Sequence, residues 1–210
     1  MNIRDTHQQE PESPLVLGVT GGVGSGKSLV LGRLRELGAA VQSADQLARR
    51  AVEPGTHAYN QIIKYFGDRV LALDGLIDRA ELRRIIIKDD NARKALESFV
   101  HPEVLRQMTE YIKEAGKQGA RVAAVEVPLL FETGMQSFFD CVFMVTADRE
   151  TRIRRIMERD GATQDEAEAL MKTQMPEDVK SRFADFVIEN NGDIPELLAE
   201  VERIYRRVEP

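Results

Sequence analysis

From Leu15 onward the chain alternates short apolar runs with stretches in which apolar residues recur every three or four positions. Leu15-Val16-Leu17-Gly18-Val19-Thr20 is brief, partly β-branched and closed by glycines, the pattern of a buried strand. Beyond the glycines Leu29, Val30, Leu34 and Leu37 repeat at helical spacing and stop at Gly38, so a helix over 27–37 is predicted. A second strand over 39–43 follows, then a helix from about Asp45 that ends before Pro54-Gly55, and another over 57–66. Asp78 with Glu81 three residues on reads as a capping box opening a helix over 79–88. Separate helices over 91–100 and 102–115 come next, and strands return at 121–127, 141–145 and 185–189. Strands divided by helices imply an α/β protein, a parallel sheet covered on both faces. Residues 1–14 read as a loose tail, and no repeat, low-complexity tract or flexible linker divides the remainder.

The glycines after the first strand carry the sharpest chemistry. Gly21-Gly22-Val23-Gly24-Ser25-Gly26-Lys27-Ser28 is a glycine, four residues, then glycine, lysine and serine, the pattern of a phosphate-binding loop, or P-loop, in the strand-to-helix position it requires. Glycines let the backbone turn sharply and bring its N–H groups close to phosphate oxygens. Gly21, Gly24, Ser25, Gly26, Lys27 and Ser28 are therefore candidate ATP-binding residues. Lys27 reaches the β- and γ-phosphates in this reading, and the Ser28 hydroxyl is the candidate ligand for Mg²⁺, a hard cation that takes oxygen donors. A plain glycine turn with an exposed lysine is the bland alternative, and the flanking strand and helix argue against it.

Asp45 stands just past the second predicted strand, where strand ends in an open parallel sheet meet a ligand crevice. A carboxylate there can accept a hydroxyl proton or hold a metal-bound water; an aspartate that merely caps the following helix is the competing reading. Five arginines lie between 149 and 159, and Arg152, Arg155 and Arg159 share one helical face opposite an apolar side of Ile153, Ile156 and Met157. Such a face can close over ATP, its guanidinium groups meeting charge on the transferred phosphoryl; a solvated face balanced by Glu150, Glu158 and Asp160 is the alternative. His101 before Pro102 reads as a helix start, Glu126 and Glu132 as strand-end carboxylates of either substrate or surface type, and Phe131, Phe138, Phe139 and Phe143 as core or pocket lining.

Composition narrows the classes. The 210 residues, 42% hydrophobic and 30% charged, suit a folded chain of one domain with lobes. A net charge of −6 argues against a dedicated nucleic-acid binder and requires that any polyphosphate site be locally basic. The lone cysteine, Cys141, forms no internal disulfide and suits a reducing compartment; with no signal-like or membrane-length apolar stretch, a cytoplasmic protein is expected. A GTP-binding switch needs DxxG and NKxD segments and a transporter ATPase needs LSGGQ, and the chain has none of these.

Taken in order, the motifs resemble those of the dephospho-CoA kinase family. The resemblance runs through the phosphate loop, Ala44-Asp45, the segment from Ala48 to Gly55, His101-Pro102, Val127-Pro128-Leu129-Leu130-Phe131-Glu132, the helix ending Arg159-Asp160, Gln174, and Ala184-Asp185-Phe186-Val187-Ile188-Glu189-Asn190. It implies a P-loop NTPase fold: a parallel five-stranded sheet flanked by helices, with a helical substrate-binding lobe and a helical lid. Residues 15–210 then form a single kinase domain, with its core at about 15–55, 120–148 and 184–210, the lobe at about 56–119 and the lid at about 149–183. It further implies Mg²⁺-dependent transfer of the ATP γ-phosphate to the ribose 3′-hydroxyl of dephospho-CoA, in a monomer or weak homo-oligomer that binds neither nucleic acid nor membrane. Asp45, Lys27 and Arg155 match catalytic positions, with Arg152, Arg154 and Arg159 as helpers. Leu29 is a further candidate ATP-binding residue that only the resemblance supplies. Two departures stand out: Ser43 replaces a commonly acidic residue, and Leu29 a common threonine.

Overall fold

The computed structural model describes residues 13–210, so the tail expected over 1–14 lies, apart from Ser13 and Pro14, outside the described residues. The chain divides into two compact units, one running to Gln42 and resuming at Ile112, the other Ser43–Tyr111. The second unit is the helical one. Five strands, β1 (Leu15–Gly21), β2 (Ala40–Ser43), β3 (Val122–Glu126), β4 (Cys141–Thr146) and β5 (Phe186–Glu189), form one sheet in the order β2-β3-β1-β4-β5. The helices are α1 (Lys27–Glu36), α2 (Ala44–Ala51), α3 (His57–Phe66), α4 (Arg79–Lys88), α5 (Asp90–Lys117), α6 (Arg149–Asp160), α7 (Gln164–Lys172), α8 (Glu177–Lys180) and α9 (Ile194–Val208).

The α/β unit is organised around β1, which pairs in parallel with β3 on one side and β4 on the other, while β5 pairs in parallel with β4. Both faces of this sheet are covered, which is why its strands read as nearly unbroken apolar runs. On one face Leu17, Val19, Phe143 and Val145 pack with Val30 and Leu34 of α1 and Leu197, Val201 and Ile204 of α9. On the other, Ala123 meets Ile112 and Ala115 from the last turns of α5. α9 shows how sequence sets such an element: Asp193 caps it by accepting the Glu196 N–H, Pro195 stands in its first turn, and Leu197, Val201, Ile204 and Tyr205 fall on one buried stripe.

The helical unit has its own apolar cluster of Ile62, Phe66, Val70, Ile77, Leu82 and Ala92. Thr56 caps α3 by accepting the Tyr59 N–H, and Asp78 caps α4 by accepting from both Ala80 and Glu81. The second half of the capping box expected at Asp78 is absent because Glu81 pairs with Arg84 instead. A complete box opens α7, where Thr163 and Glu166 bond reciprocally. The two helices expected over 91–100 and 102–115 are one, α5, with Pro102 in its interior and His101 an ordinary exposed helical residue. Pro102 removes one helical hydrogen bond, but apolar residues are buried on either side of it, Ala92 before and Met108 after, and that burial carries the helix through. Among the described residues no helix is long and apolar enough to cross a membrane.

Candidate phosphate-binding site

β1 ends at Gly21 and α1 begins at Lys27, so the loop between them spans only 22–26. Gly26, the residue before α1, has φ +95, a left-handed conformation that a side chain resists, and offers no side-chain cap. A Cβ there would also collide with Asn190 Nδ2, which donates to the Ser25 carbonyl at 2.8 Å. The helix's first N–H groups are therefore left to whatever stands in front of them.

The loop's backbone donors fall into two sets. Gly22 N–H donates to Glu177 Oε1 at 3.2 Å and Val23 N–H to Gln174 Oε1 at 2.9 Å. Ser25 and Leu29 N–H close turns onto the Gly22 and Gly26 carbonyls. Among the described residues no acceptor meets the N–H groups of Gly24, Gly26, Lys27 or Ser28. Four open donors at and just before a helix start, where the macrodipole is positive, make a candidate anion site. The Ser25 hydroxyl beside them is buried and unpartnered.

A cavity of about 220 Å³ opens at this point, lined by Gly24, Gly26, Lys27, Ser28, Glu126, Arg155 and Arg159. Lys27 Nζ donates to the Gly21 and Gly22 carbonyls at 3.1 and 3.2 Å. Burial pulls its pKa below the usual lysine value; the Glu126 carboxylate opposes that shift, and Lys180, Arg152 and Arg159 add to it. Anionic oxygens in the cavity would therefore relieve a cluster of cations.

The structure brings Arg155 and Arg159 to this cavity. Arg155 reaches the Gly24 and Ser25 carbonyls at 3.4 Å and Asn190 O and Oδ1 at 3.2 and 3.3 Å, while Arg159 pairs with Asp160. Arg152 does not join them. Only 6% exposed, it pairs with Glu177 at 3.0 Å and donates Nε–H to the Val23 carbonyl at 2.9 Å. Its place one turn before Arg155 points it at the back of the loop, where Ile153 and Ile156 also pack against Val23. Met157, expected on that apolar side, is 37% exposed. Leu29 is an exposed residue of α1 and does not line the cavity.

Asp45 is not the cap of its helix. α2 begins at Ala44 with Ser43 as the cap residue, so Asp45 lies inside the first turn, exposed, where a carboxylate favours the helix dipole without a cap bond. For a divalent cation, the Ser28 hydroxyl and the Glu126 carboxylate line the same cavity, a hard-oxygen donor set of the kind Mg²⁺ takes when phosphates supply its other ligands. Among the described residues no group of three or more His, Cys, Asp or Glu is arranged to hold a metal unaided. Sequence reasoning missed Glu177, which accepts from Gly22, Arg152 and, at 2.5 Å, the Thr146 hydroxyl. Nothing in the local pattern Pro176-Glu177-Asp178 marks it, since its partners lie far away in sequence.

Comparison with known proteins is consistent across the chain. The dephospho-CoA kinase family model matches residues 15–196. The chain is 44% identical over 193 residues to dephospho-CoA kinase of Geobacter sulfurreducens, covering 91% of this chain and 98% of that protein. It is 43% identical over 178 residues to the enzyme of Geobacillus kaustophilus, covering 85% and 89%. Among solved structures it is similar to TT1252 from Thermus thermophilus, with a TM-score of 0.81 and 35% identity over 95% of this chain and 100% of that one. Dephospho-CoA kinase from Campylobacter jejuni gives a TM-score of 0.69 and 26% identity over 92% and 96%. Shikimate kinase from Acinetobacter baumannii, at 17% identity, a TM-score of 0.53 and 94% coverage of both chains, shares the fold.

Proposed function

The chain belongs to the dephospho-CoA kinase family, and from that premise we propose that it transfers the γ-phosphate of ATP to the ribose 3′-hydroxyl of dephospho-CoA, releasing coenzyme A and ADP. One observation carries the ATP half of this reading: Gly24, Gly26, Lys27 and Ser28, whose N–H groups are open, line one cavity with Arg155 and Arg159. Phosphoryl transfer has a loose transition state, so the protein's work is positioning and charge stabilisation. Lys27 exchanges the loop carbonyls for phosphate oxygens. Arg155 and Arg159 meet charge on the transferred group, and Arg152 acts on the loop from behind. Ser28, with Glu126 beside it, would hold Mg²⁺, which when bound neutralises phosphate charge. Gly21, Ser25 and Leu29 shape the loop and the first turn of α1 around the nucleotide.

Asp45 orients the acceptor hydroxyl and takes its proton. The family match at Ala44-Asp45 and an exposed carboxylate without a capping bond support that role. The enzyme works in the cytoplasm, as a monomer or weak homo-oligomer, without nucleic acid or membrane. Its buried Cys141 thiol, pushed up to about 11 mainly by burial, suits a protein that makes no use of thiol chemistry. The test is ADP release from ATP and Mg²⁺ with dephospho-CoA, AMP or water as acceptor, with the product identified by mass. Coenzyme A is expected from dephospho-CoA, and equal ADP release with all three acceptors would remove the assignment.

A further inference from the structure

We propose that Glu177 is a positioning residue that pre-forms the back of the phosphate loop, so that bound nucleotide has only the front to organise. This rests on the reading of the loop as the ATP phosphate site. Glu177 Oε1 accepts from both Gly22 N–H and Arg152, and its Oε2 accepts from the Thr146 hydroxyl at the end of β4. One carboxylate thereby ties the loop, the arginine helix and the central sheet together. Gln174 takes the neighbouring Val23 N–H, and Arg152 donates to the Val23 carbonyl. The Gly22 carbonyl accepts from Ser25 N–H and Lys27 Nζ, so every polar backbone group of Gly22 and Val23 is satisfied without a ligand.

The segment that carries these acceptors is itself pinned. Met175 N–H donates to Glu132 Oε1 at 2.9 Å, and Lys180, fully buried, pairs with the same oxygen at 2.7 Å. Glu132 lies in the turn that follows β3, so residues 174–180 form a strut anchored on that turn and bonded to the loop. The fit at Gly22 is close: an added Cβ would run into Arg152 Nη2 and Glu177 Oε1. Left unsupported, a glycine-rich loop is costly to order, and nucleotide binding would have to supply that ordering.

The experiment compares Glu177→Ala, Glu177→Gln and Gln174→Ala with wild type. ADP with Mg²⁺ is the calorimetric probe, thermal melting checks folding, and kcat and KM are measured separately for ATP and dephospho-CoA. Glu177→Gln keeps an oxygen for Gly22 and Arg152 and places an amide donor against the Thr146 hydroxyl, which can turn to accept. It should therefore hold ADP affinity within about threefold, whereas Glu177→Ala, losing every acceptor, should weaken ADP about tenfold or more and raise KM for ATP alike. KM for dephospho-CoA should stay within about twofold, a split that a merely structural loss would not give. Gln174→Ala should weaken ADP about threefold, and it carries the test if Glu177→Ala does not fold. Folded Glu177→Ala or Gln174→Ala with unchanged ADP affinity, or equal damage from Glu177→Ala and Glu177→Gln, would overturn the proposal. A wild-type protein that binds ADP but leaves dephospho-CoA unmodified would refute the reaction and leave this comparison standing.

Discussion

The back of the phosphate loop, Gly22 and Val23, and its front, Gly24 to Ser28, both contain glycine and differ in where their hydrogen bonds go. At the back every N–H and C=O is bonded within the protein, to Glu177, Gln174, Arg152, Ser25 and Lys27. At the front four N–H groups meet no acceptor among the described residues, and the neighbouring side chains are mainly cationic. Gly24, Gly26 and Lys27 are half-buried and Ser28 exposed, so the front amides stay open to a ligand while the back is the frame that holds the loop in shape. Glycine content alone does not make a phosphate site; an unequal distribution of partners does.

Five substitutions probe that contrast. Asp45, outside both halves, should give the largest effect: Asp45→Asn removes the charge but keeps the shape, so turnover should fall roughly 10²–10⁴-fold. Its stability should stay within about 1 kcal/mol, since only a first-turn dipole interaction is lost. Unchanged turnover in a destabilised protein would return Asp45 to a purely helical role. Lys27→Ala, at the front, should cost about 10²-fold or more in ADP release, near 3 kcal/mol, with melting unchanged.

Arg155→Ala should lower kcat about 10-fold to 10²-fold and raise KM for ATP less, because the charge it meets grows in the transition state. Arg207, which lies over the Phe186 ring 5.3 Å from its centroid, serves as the control, and equal small losses from Arg155→Ala and Arg207→Ala would place Arg155 among ordinary surface arginines. The smallest effect sharpens the comparison within the loop. Gly22 has no left-handed φ and an alanine there strikes only side-chain tips, so Gly22→Ala should weaken ADP about tenfold, as Glu177→Ala does. Gly26→Ala, strained at φ +95 and opposed by Asn190, should weaken it further, and the reverse order would break the division into frame and front.

What the sequence revealed follows from the range of the interactions involved. The β1–loop–α1 unit was legible because its glycines, apolar run and helical spacing lie within about two dozen residues and each obeys local rules. The strands and their parallel arrangement were legible for the same reason. The path of α5 was not, because Pro102 is locally a break and only burial on both sides of it decides otherwise. Arg152 and Arg155, alike by helical spacing, take different roles because Glu177 captures one of them from across the fold. Glu177 itself lies 155 positions from Gly22, and no spacing rule reaches that far.

The most direct test of the central claim is amide hydrogen exchange across residues 22–28, followed by NMR with and without ADP and Mg²⁺. Without nucleotide the amides of Gly22 and Val23 should already exchange slowly, while those of Gly24, Gly26, Lys27 and Ser28 exchange fast and become protected, with large shifts, when ADP binds. If Gly22 and Val23 instead exchange as fast as their neighbours and gain the most protection from ADP, the frame is made by the nucleotide and the account is contradicted.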